Sequence, residues 1–250
     1  MKVVTVDIGN SKIKTGEFYN SELIRTLVID DPLEIKPLIY GSHIDVVVSS
    51  VVPKQTSLLE SILKNQSNTD IFLLDHSLDF GFGITYSPLN SLGLDRLSSV
   101  AGAKHLLEIE NALHDYDFVI TIDFGTATTV NVLQVGKPSV FTGGMIAPGL
   151  RIMNSALNQF TAKLPLIESY HTGSFLGNST ENSIRSGILN STVGLVERVS
   201  DHFSALSQDI KIFVTGGYAT QLMPHLQVPF QYEPFLNLIG IYSVYYRNKK

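Results

Sequence analysis

The sequence predicts an α/β protein built from two similar halves, and two observations lead to this prediction. First, an apolar strand-like run ends in an aspartate, a glycine turn and hydroxyl side chains at two places, around Asp7 and around Asp123. Second, each of these places begins the same order of predicted elements, three strands followed by an alternation of helices and strands. We therefore predict two domains, at residues 1–115 and 116–250, although the boundary is defined only to within several residues.

The first half begins with three predicted strands, at residues 3–8, 12–19 and 23–29. Asp31 and Pro32 then favour the start of a helix, because aspartate caps helices well and proline fits the first helical turn. The remaining predicted elements are a buried parallel strand at 45–52, a helix at 55–64, a strand at 70–74 and, after a loop at 76–92, a helix at 95–110.

The second half repeats this order of elements. Three strands are predicted between residues 117 and 146, and the third ends at the glycine pair 143–144. The elements predicted after them are helices at 148–160 and 180–206, a strand at 210–215 and a final helix at 236–245.

The composition limits the class of protein and its partners. Of the 250 residues 44% are hydrophobic and 16% charged, which permits a buried core, and the absence of cysteine excludes disulfides and cysteine nucleophiles. The net charge is −5 without a long basic run, so nucleic acid is not an expected partner. Because the N-terminus runs directly into a strand and no apolar run can span a bilayer, we expect a cytoplasmic protein without a membrane partner.

The two aspartate–glycine turns predict a site for a phosphate-bearing ligand. Glycine allows backbone N–H groups to approach an anion closely, and a neighbouring carboxylate suits a hard cation such as Mg²⁺. Either turn alone is equally typical of an ordinary hairpin, whereas the pair, with hydroxyl groups after both glycines, favours the phosphate site. The chain has no Walker A motif, so these turns would hold a nucleotide, and Lys12 or Lys14 would supply a point charge.

A second informative patch, residues 93–96, opens the helix that follows the glycine- and proline-containing loop. In one interpretation Asp95 merely caps this helix and Arg96 is exposed. In the other, Asp95 is a general base and Arg96 binds a substrate carboxylate through its two-pronged guanidinium group. The residues alone leave both interpretations open.

Five separated motifs together resemble a known family, the type III pantothenate kinases. These motifs occupy residues 7–14, 93–96, 123–129, 143–149 and 215–217, in the family's order and spacing. The resemblance extends from residue 3 to about residue 220. It implies the actin-like, sugar-kinase-like ATPase fold, with two duplicated ribonuclease-H-like domains and a cleft between them.

The resemblance also implies an activity, the ATP-dependent phosphorylation of pantothenate to 4'-phosphopantothenate at the start of coenzyme A biosynthesis, carried out by a homodimer. It makes Asp95 the base for the pantothenate hydroxyl, Asp7 a ligand of Mg²⁺, and Asp123 a ligand of a monovalent cation, K⁺ or NH₄⁺. The residues that it assigns to ATP are Asp7, Ile8, Gly9, Asn10, Ser11, Lys12, Ile13, Lys14 and Thr126. Those that it assigns to pantothenate are Tyr86, Gly93, Leu94, Asp95, Arg96 and Thr180.

The sequence departs from the family pattern at three places. Ser11 stands where threonine is usual, Asn131 stands where aspartate is usual, and the segment 177–187 lacks a usual lysine and glutamine. The change at Asn131 predicts a weakened response to the monovalent cation. Two alternatives remain, a related small-molecule kinase of the same superfamily and a non-catalytic nucleotide-binding regulator. The retention of all three acids, at positions 7, 95 and 123, disfavours the regulator.

Overall fold

The computed structural model describes residues 2–39, 43–64, 66, 68–171 and 174–249. The chain divides into two units. One comprises Met1–His114, Leu133–Gly143 and Phe235–Lys250, and the other comprises Asp115–Val132 and Gly144–Pro234. The C-terminal segment therefore belongs with the N-terminal part of the chain.

The secondary structure alternates strands and helices throughout. The strands are β1 (Lys2–Ile8), β2 (Ile13–Tyr19), β3 (Glu22–Ile29), β4 (Ile44–Ser50), β5 (Thr69–Leu73), β6 (Gly83–Ile84), β7 (Phe118–Phe124), β8 (Ala127–Gln134), β9 (Val140–Pro148), β10 (Ile210–Thr215) and β11 (Gln231–Tyr232). The α-helices are α1 (Pro53–Leu63), α2 (Leu94–Ile109), α3 (Leu150–Gln159), α4 (Thr180–Ser204), α5 (Ala219–Leu222) and α6 (Leu236–Asn248). Short 3-10 helices occupy Pro32–Leu38, Leu89–Ser91, Leu113–Asp115 and Met223–His225.

A five-stranded sheet in the order β3-β2-β1-β4-β5 forms the centre of the first unit. Strand β1 pairs antiparallel with β2 and parallel with β4, and β4 pairs parallel with β5. The apolar run of β1 is buried on both faces, as a central strand requires. Asp31 and Glu34 form a complete capping box at the 3-10 helix that follows β3, so the helix start predicted there is confirmed.

Helices α2 and α6 pack against each other with their backbones in contact. A Cβ atom at Gly240 would overlap the carbonyl of Ser98, and one at Gly102 would overlap the carbonyl of Leu236. Only glycine permits this approach. The contact anchors α6 in the first unit, where the ring of Tyr242 also stacks on that of Phe18 in β2 at 4.3 Å.

The second sheet has the order β11-β10-β7-β8-β9-β6. In the second unit, β10 runs parallel to β7 and to β11, and the core joins Ile122 and Val214 of these strands to Ile188 and Val196 of α4. The β6 edge, where Gly83 pairs with Val140, falls within the first unit.

Most of the predicted elements are confirmed, and the main errors lie at glycines and in short segments. The helices predicted at 95–110, 180–206 and 236–245 correspond to α2, α4 and α6. The predicted end of a strand at 143–144 is wrong, because β9 continues to Pro148 and pairing within the sheet overrides the local glycine signal. Among the described residues, none of the helices combines the length and the apolar character needed to cross a membrane.

Candidate active site

The first candidate cluster lies where β1 ends. Asp7 is 7% exposed and lies in the sheet between Lys14 of β2 and Ser49 of β4. The chain then reverses in a tight turn, in which the N–H of Gly9 donates to the carbonyl of Lys12 over 3.1 Å. The predicted strand–turn–strand around Asp7 is therefore present, with its carboxylate at the carboxyl end of a central strand.

The tip of this turn is accessible to a ligand. Asn10 and Ser11 are exposed, and Lys14 is partly buried. The ammonium group of Lys12 pairs with the carboxylate of Asp30 over 2.6 Å, but both side chains are exposed to water. Because exposed ion pairs contribute little free energy, Lys12 can exchange this partner for a bound anion.

A residue that no sequence motif indicated completes the cluster. Asn237, in the first turn of α6, donates from Nδ2 to Oδ2 of Asp7 over 3.3 Å. Its own Oδ1 and the Oγ of Ser49 are buried and make no hydrogen bond within the described part of the chain. Buried polar atoms without protein partners are rare and mark places for water or a ligand. A carboxylate beside such oxygens is the kind of donor set that a hydrated Mg²⁺ ion prefers.

The second cluster lies at the start of α2. Gly93 is the N-cap residue of this helix, and Asp95 lies in its first turn, partly buried. The Oδ1 atom of Asp95 accepts a hydrogen bond from the N–H of Arg96 over 2.9 Å. The carboxylate is therefore held by the helix that carries it.

Arg96 is 5% exposed, so the interpretation of this residue as a surface arginine is wrong. Its guanidinium carbon lies 5.6 Å from the centroid of the Tyr86 ring and 5.9 Å from that of Phe141. A cation over the faces of aromatic rings is stabilised by the negative charge of those faces. The structure thus brings Tyr86 and Arg96, two of the residues that the resemblance assigns to pantothenate, into contact, and it adds Phe141, which the sequence reasoning missed.

The third cluster surrounds Asp123, in the second unit. Asp123 is partly buried near the end of β7 and pairs in register with Thr215 of β10. After it, the N–H of Gly125 donates to the carbonyl of Ala127 over 3.1 Å and closes a tight turn. The carbonyl of Thr126 accepts from the N–H of Gly149 over 3.1 Å, which joins two of the predicted motifs.

Gly216 brings in a third motif. Its φ of +103° is a conformation that favours glycine, and a Cβ atom there would overlap both Oδ1 of Asp123 and the backbone of Phe124. The next residue but one, Tyr218, donates its N–H to the carbonyl of Phe124 over 2.9 Å. Gly149 of one motif and Gly216 of another thus both contact the motif at 123–129, which carries Asp123.

Two further predicted positions lie elsewhere in the second unit. Thr180 is exposed at the first position of α4 and lines a cavity of about 1070 Å³ together with Phe160 of the loop after α3. Asn131 is buried within β8, and its amide donates to Oγ1 of Thr121 over 3.2 Å. The amide nitrogen of Asn131 is therefore committed to a contact inside the sheet.

The fold defined by these sheets is that of the actin-like and sugar-kinase-like ATPases. Over 100% of both chains, the structure matches a ROK hexokinase from Thermus thermophilus with a TM-score of 0.51 and 12% identity. Over 98% of both chains, it matches a Campylobacter jejuni protein named for the Baf family of transcriptional activators, with a TM-score of 0.62 and 17% identity. At these identities the likeness concerns the fold alone.

The family follows from the sequence comparison. The profile of the type III pantothenate kinases matches residues 3–202. Curated relatives named type III pantothenate kinase include one from Pelobacter propionicus, 30% identical over 99% of this chain and 100% of its own, and one from Citrifermentans bemidjiense, 28% identical over the same shares. The chain belongs to the type III pantothenate kinase family, and its activity is the ATP-dependent phosphorylation of pantothenate with a divalent metal ion.

Proposed function

We propose that in this chain Arg96 binds the carboxylate of pantothenate and Asp95 is the base that accepts the proton of its hydroxyl group. The observation that carries the proposal is the buried side chain of Arg96, whose guanidinium carbon lies within 6 Å of the ring centroids of both Tyr86 and Phe141. A substrate carboxylate is the natural partner of such a group, since the guanidinium fork donates two parallel hydrogen bonds to it. Asp95 is the preceding residue in the same helical turn, so a substrate held by Arg96 lies near a carboxylate able to act as a base.

The chemical step needs little else from the protein. The pantothenate hydroxyl oxygen attacks the γ-phosphorus of ATP and forms a new P–O bond, while the bond to the β-phosphate oxygen breaks and ADP leaves. Asp95 accepts the hydroxyl proton. Gly93 and Leu94 belong to the same turn and keep the carboxylate in place. Positioning of this kind, together with neutralisation of phosphate charge, supplies most of the catalysis in phosphoryl transfer.

The turn after β1 is proposed to hold the ATP phosphates. Asp7 would hold Mg²⁺, which would supply positive charge to neutralise part of the phosphate charge. The backbone N–H groups of the turn and the side chains of Lys12 and Lys14 donate to the phosphate oxygens. The residues of this proposed site are Asp7, Ile8, Gly9, Asn10, Ser11, Lys12, Ile13 and Lys14, with Thr126 as a further contact to ATP.

Asp123 is proposed to bind a monovalent cation, K⁺ or NH₄⁺. Its partly buried carboxylate lies among tightly packed turns, with the hydroxyl groups of Thr126, Thr128 and Thr129 close in the sequence. Oxygen donors without a nearby lysine suit a large ion of low charge. Asn131 is neutral, so it does not supply the negative charge that an aspartate would add there, and its amide nitrogen donates to Thr121 inside the sheet.

The apolar surface of the second unit supports a homodimer. The side chains of Ile146, Phe160, Phe175 and Leu176 are between 65% and 81% exposed. A contiguous patch of such side chains marks an interaction surface, and we propose that these four belong to one patch. We propose that a second copy of the chain covers this surface and the cavity that Thr180 lines. In the dimer, Thr180 contacts pantothenate. Light scattering that reports only monomers would contradict this.

Two further expectations remain proposals. We propose duplicated ribonuclease-H-like domains at residues 1–115 and 116–250, because β1 and β7 begin each half with the same aspartate–glycine turn. The compact units differ from these halves, since residues 133–143 and 235–250 belong to the first unit. The location is proposed to be the cytoplasm, where ATP is available.

A coupled assay of ADP release tests the proposal. Pantothenate is compared with a panel of sugars and hydroxy acids, with and without K⁺, for the parent protein and for Asp95→Asn. Loss of the base lowers kcat by about 10²–10⁴-fold, while calorimetry still detects ATP binding. A folded Asp95→Asn protein within a few-fold of the parent rate rules out Asp95 as the base. A parent that prefers a sugar contradicts the substrate assignment.

A further inference from the structure

We infer that Asn237 is a positioning residue that holds the carboxylate of Asp7 for the metal ion and the phosphates. The inference rests on the proposed role of Asp7. The two side chains are separated by 230 positions in the sequence, yet Nδ2 of Asn237 lies 3.3 Å from Oδ2 of Asp7. Both residues are almost fully buried, at 6% and 7% exposure.

The direction of this hydrogen bond defines the orientation of the amide. An ionised carboxylate only accepts, so the nitrogen of Asn237 faces Asp7 and its Oδ1 faces away. That Oδ1 atom has no hydrogen-bond partner within the described ranges. Ser49 pairs in register with Asp7, and its Oγ atom is likewise buried without a hydrogen-bond partner among the described residues. The bond to Asp7 is therefore the hydrogen bond that the structure gives to the buried amide of Asn237 within the described ranges.

The position of Asn237 is set by the packing of α6. Three residues further along this helix, Gly240 touches the backbone of α2 at Ser98, and the carbonyl of Leu236 lies against Gly102. Helices in backbone contact cannot slide without a clash, so the amide cannot follow a displaced carboxylate. The hydrogen bond from Asn237 therefore holds the carboxylate of Asp7 in the position that the packing of the two helices sets.

A purely structural role does not account for the choice of asparagine. A buried amide with one unsatisfied oxygen is less favourable than an apolar side chain of the same shape, and leucine would fill this volume without an orphaned polar group. The amide is useful here because it donates to Asp7. Residues that orient a metal-binding carboxylate in this way typically change metal affinity by about 10–100-fold when they are replaced.

The test compares Asn237→Leu, which keeps the volume and removes the donor, with Asn237→Ser, which keeps a hydroxyl group. Tyr242→Phe is the matched control on the same helix, since it removes only the hydroxyl that bonds to Ser21. Calorimetry measures ADP binding at a series of Mg²⁺ concentrations, and steady-state kinetics give the pantothenate KM. Asn237→Leu is expected to raise the half-saturating Mg²⁺ concentration about 10-fold or more, with a smaller rise for Asn237→Ser and little change in the pantothenate KM.

Three outcomes overturn the inference. The first is a Mg²⁺ dependence like that of the parent in both Asn237 variants, and the second is an equal rise in Tyr242→Phe. The third is a change confined to the pantothenate KM. If Asn237→Leu does not fold, Asn237→Ser alone decides by the same criterion. Asp7→Asn distinguishes failure of the proposed role of Asp7 from failure of the role of Asn237. An unchanged Mg²⁺ dependence in Asp7→Asn contradicts the proposed role of Asp7 itself.

Discussion

Replacing Gly93 with alanine moves the carboxylate of Asp95 without altering its chemistry. Gly93 has φ −58° and ψ 135°, a conformation that alanine also adopts. A Cβ atom added here overlaps Oδ1 of Asp95, and the next nearest side chain is that of Arg96, 3.9 Å away at Cγ. The overlap is relieved by rotation of a side chain rather than by movement of the backbone. The fold should therefore survive the substitution.

The size of the effect follows from this overlap. To regain an ordinary contact distance, the carboxylate oxygen must withdraw by about 1 Å, and a misplacement of that size costs about 10²-fold in rate. A 10²-fold loss of kcat corresponds to about 2.7 kcal/mol of activation free energy. The hydrogen bond from the N–H of Arg96 to Asp95 is worth about 1 kcal/mol, and the lower unfolded-state entropy of alanine offsets part of its loss. The unfolding temperature should thus change by only a few degrees.

The assay is the coupled measurement of ADP release, with Gly83→Ala as the matched control. A Cβ atom at Gly83 meets only Cγ2 of Val140 at 3.7 Å and the carbonyl of Ser139 at 3.8 Å, which are ordinary contacts. We expect the control to retain the parent rate, and the KM for ATP to be unchanged in both variants. A Gly93→Ala enzyme as fast as the control would refute the assignment of Asp95 as the base. A large loss of thermal stability would instead show that the backbone moved.

Four further substitutions, in three experiments, test the other assignments and one ion pair. Arg96→Lys keeps the charge but loses the fork and the ring contacts, so the pantothenate KM should rise about 10-fold or more while the ATP KM stays constant, and two unchanged KM values would contradict this. In a joint titration of Mg²⁺ and K⁺, Asp7→Asn should raise the Mg²⁺ requirement at every K⁺ concentration and Asp123→Asn should mainly impair activation by K⁺; identical responses would disprove the division of roles. Burial raises the pKa of Asp45, but hydrogen bonds and charges from Lys249 and its other partners outweigh this effect and hold the pKa below the ordinary 3.8. The ionised carboxylate therefore stabilises the fold above pH 3.8, and this stabilisation is lost as the pH falls through the pKa of the folded state. In Asp45→Asn, the unfolding temperature should therefore fall less steeply as the pH is lowered. An unchanged pH dependence of the unfolding temperature would contradict a stabilising ion pair between Asp45 and Lys249.

The parts of the fold and site that the sequence predicts are those with a local physical cause. Asp31 and Pro32 mark a helix start because they satisfy its first N–H groups and backbone angles within a few residues. The turn after Asp7 is equally local, since a buried β-branched strand, an acid and a glycine leave few other conformations. For the same reason α2 begins within two residues of its predicted start.

The parts that the sequence does not predict depend on distant contacts. Arg96 lies in the first turn of a helix, where an arginine is ordinarily solvated. Its burial is explained by the rings of Tyr86 and of Phe141, which come from other parts of the chain. Asn237 belongs to an apolar C-terminal helix whose sequence pattern indicates a structural role and no site. Its pairing with Asp7 follows from the contact of α6 with α2, which depends on two glycines more than 100 residues apart.

The two aspartate–glycine turns show how duplicated motifs acquire different surroundings. In sequence, Asp7 and Asp123 both end an apolar strand and both precede a glycine by two residues. In the structure Asp7 is buried, receives a hydrogen bond from Asn237 and has Lys14 as its neighbour across the strands. Asp123 is more exposed, and the backbone at Gly216 packs against its carboxylate. A rigid, donor-rich environment favours a small divalent ion with few protein ligands, whereas close-packed turns offer oxygens to a larger ion of lower charge. The difference therefore lies in residues outside the repeated motif, and it is these residues that support the proposed assignment of Mg²⁺ to one acid and of the monovalent cation to the other.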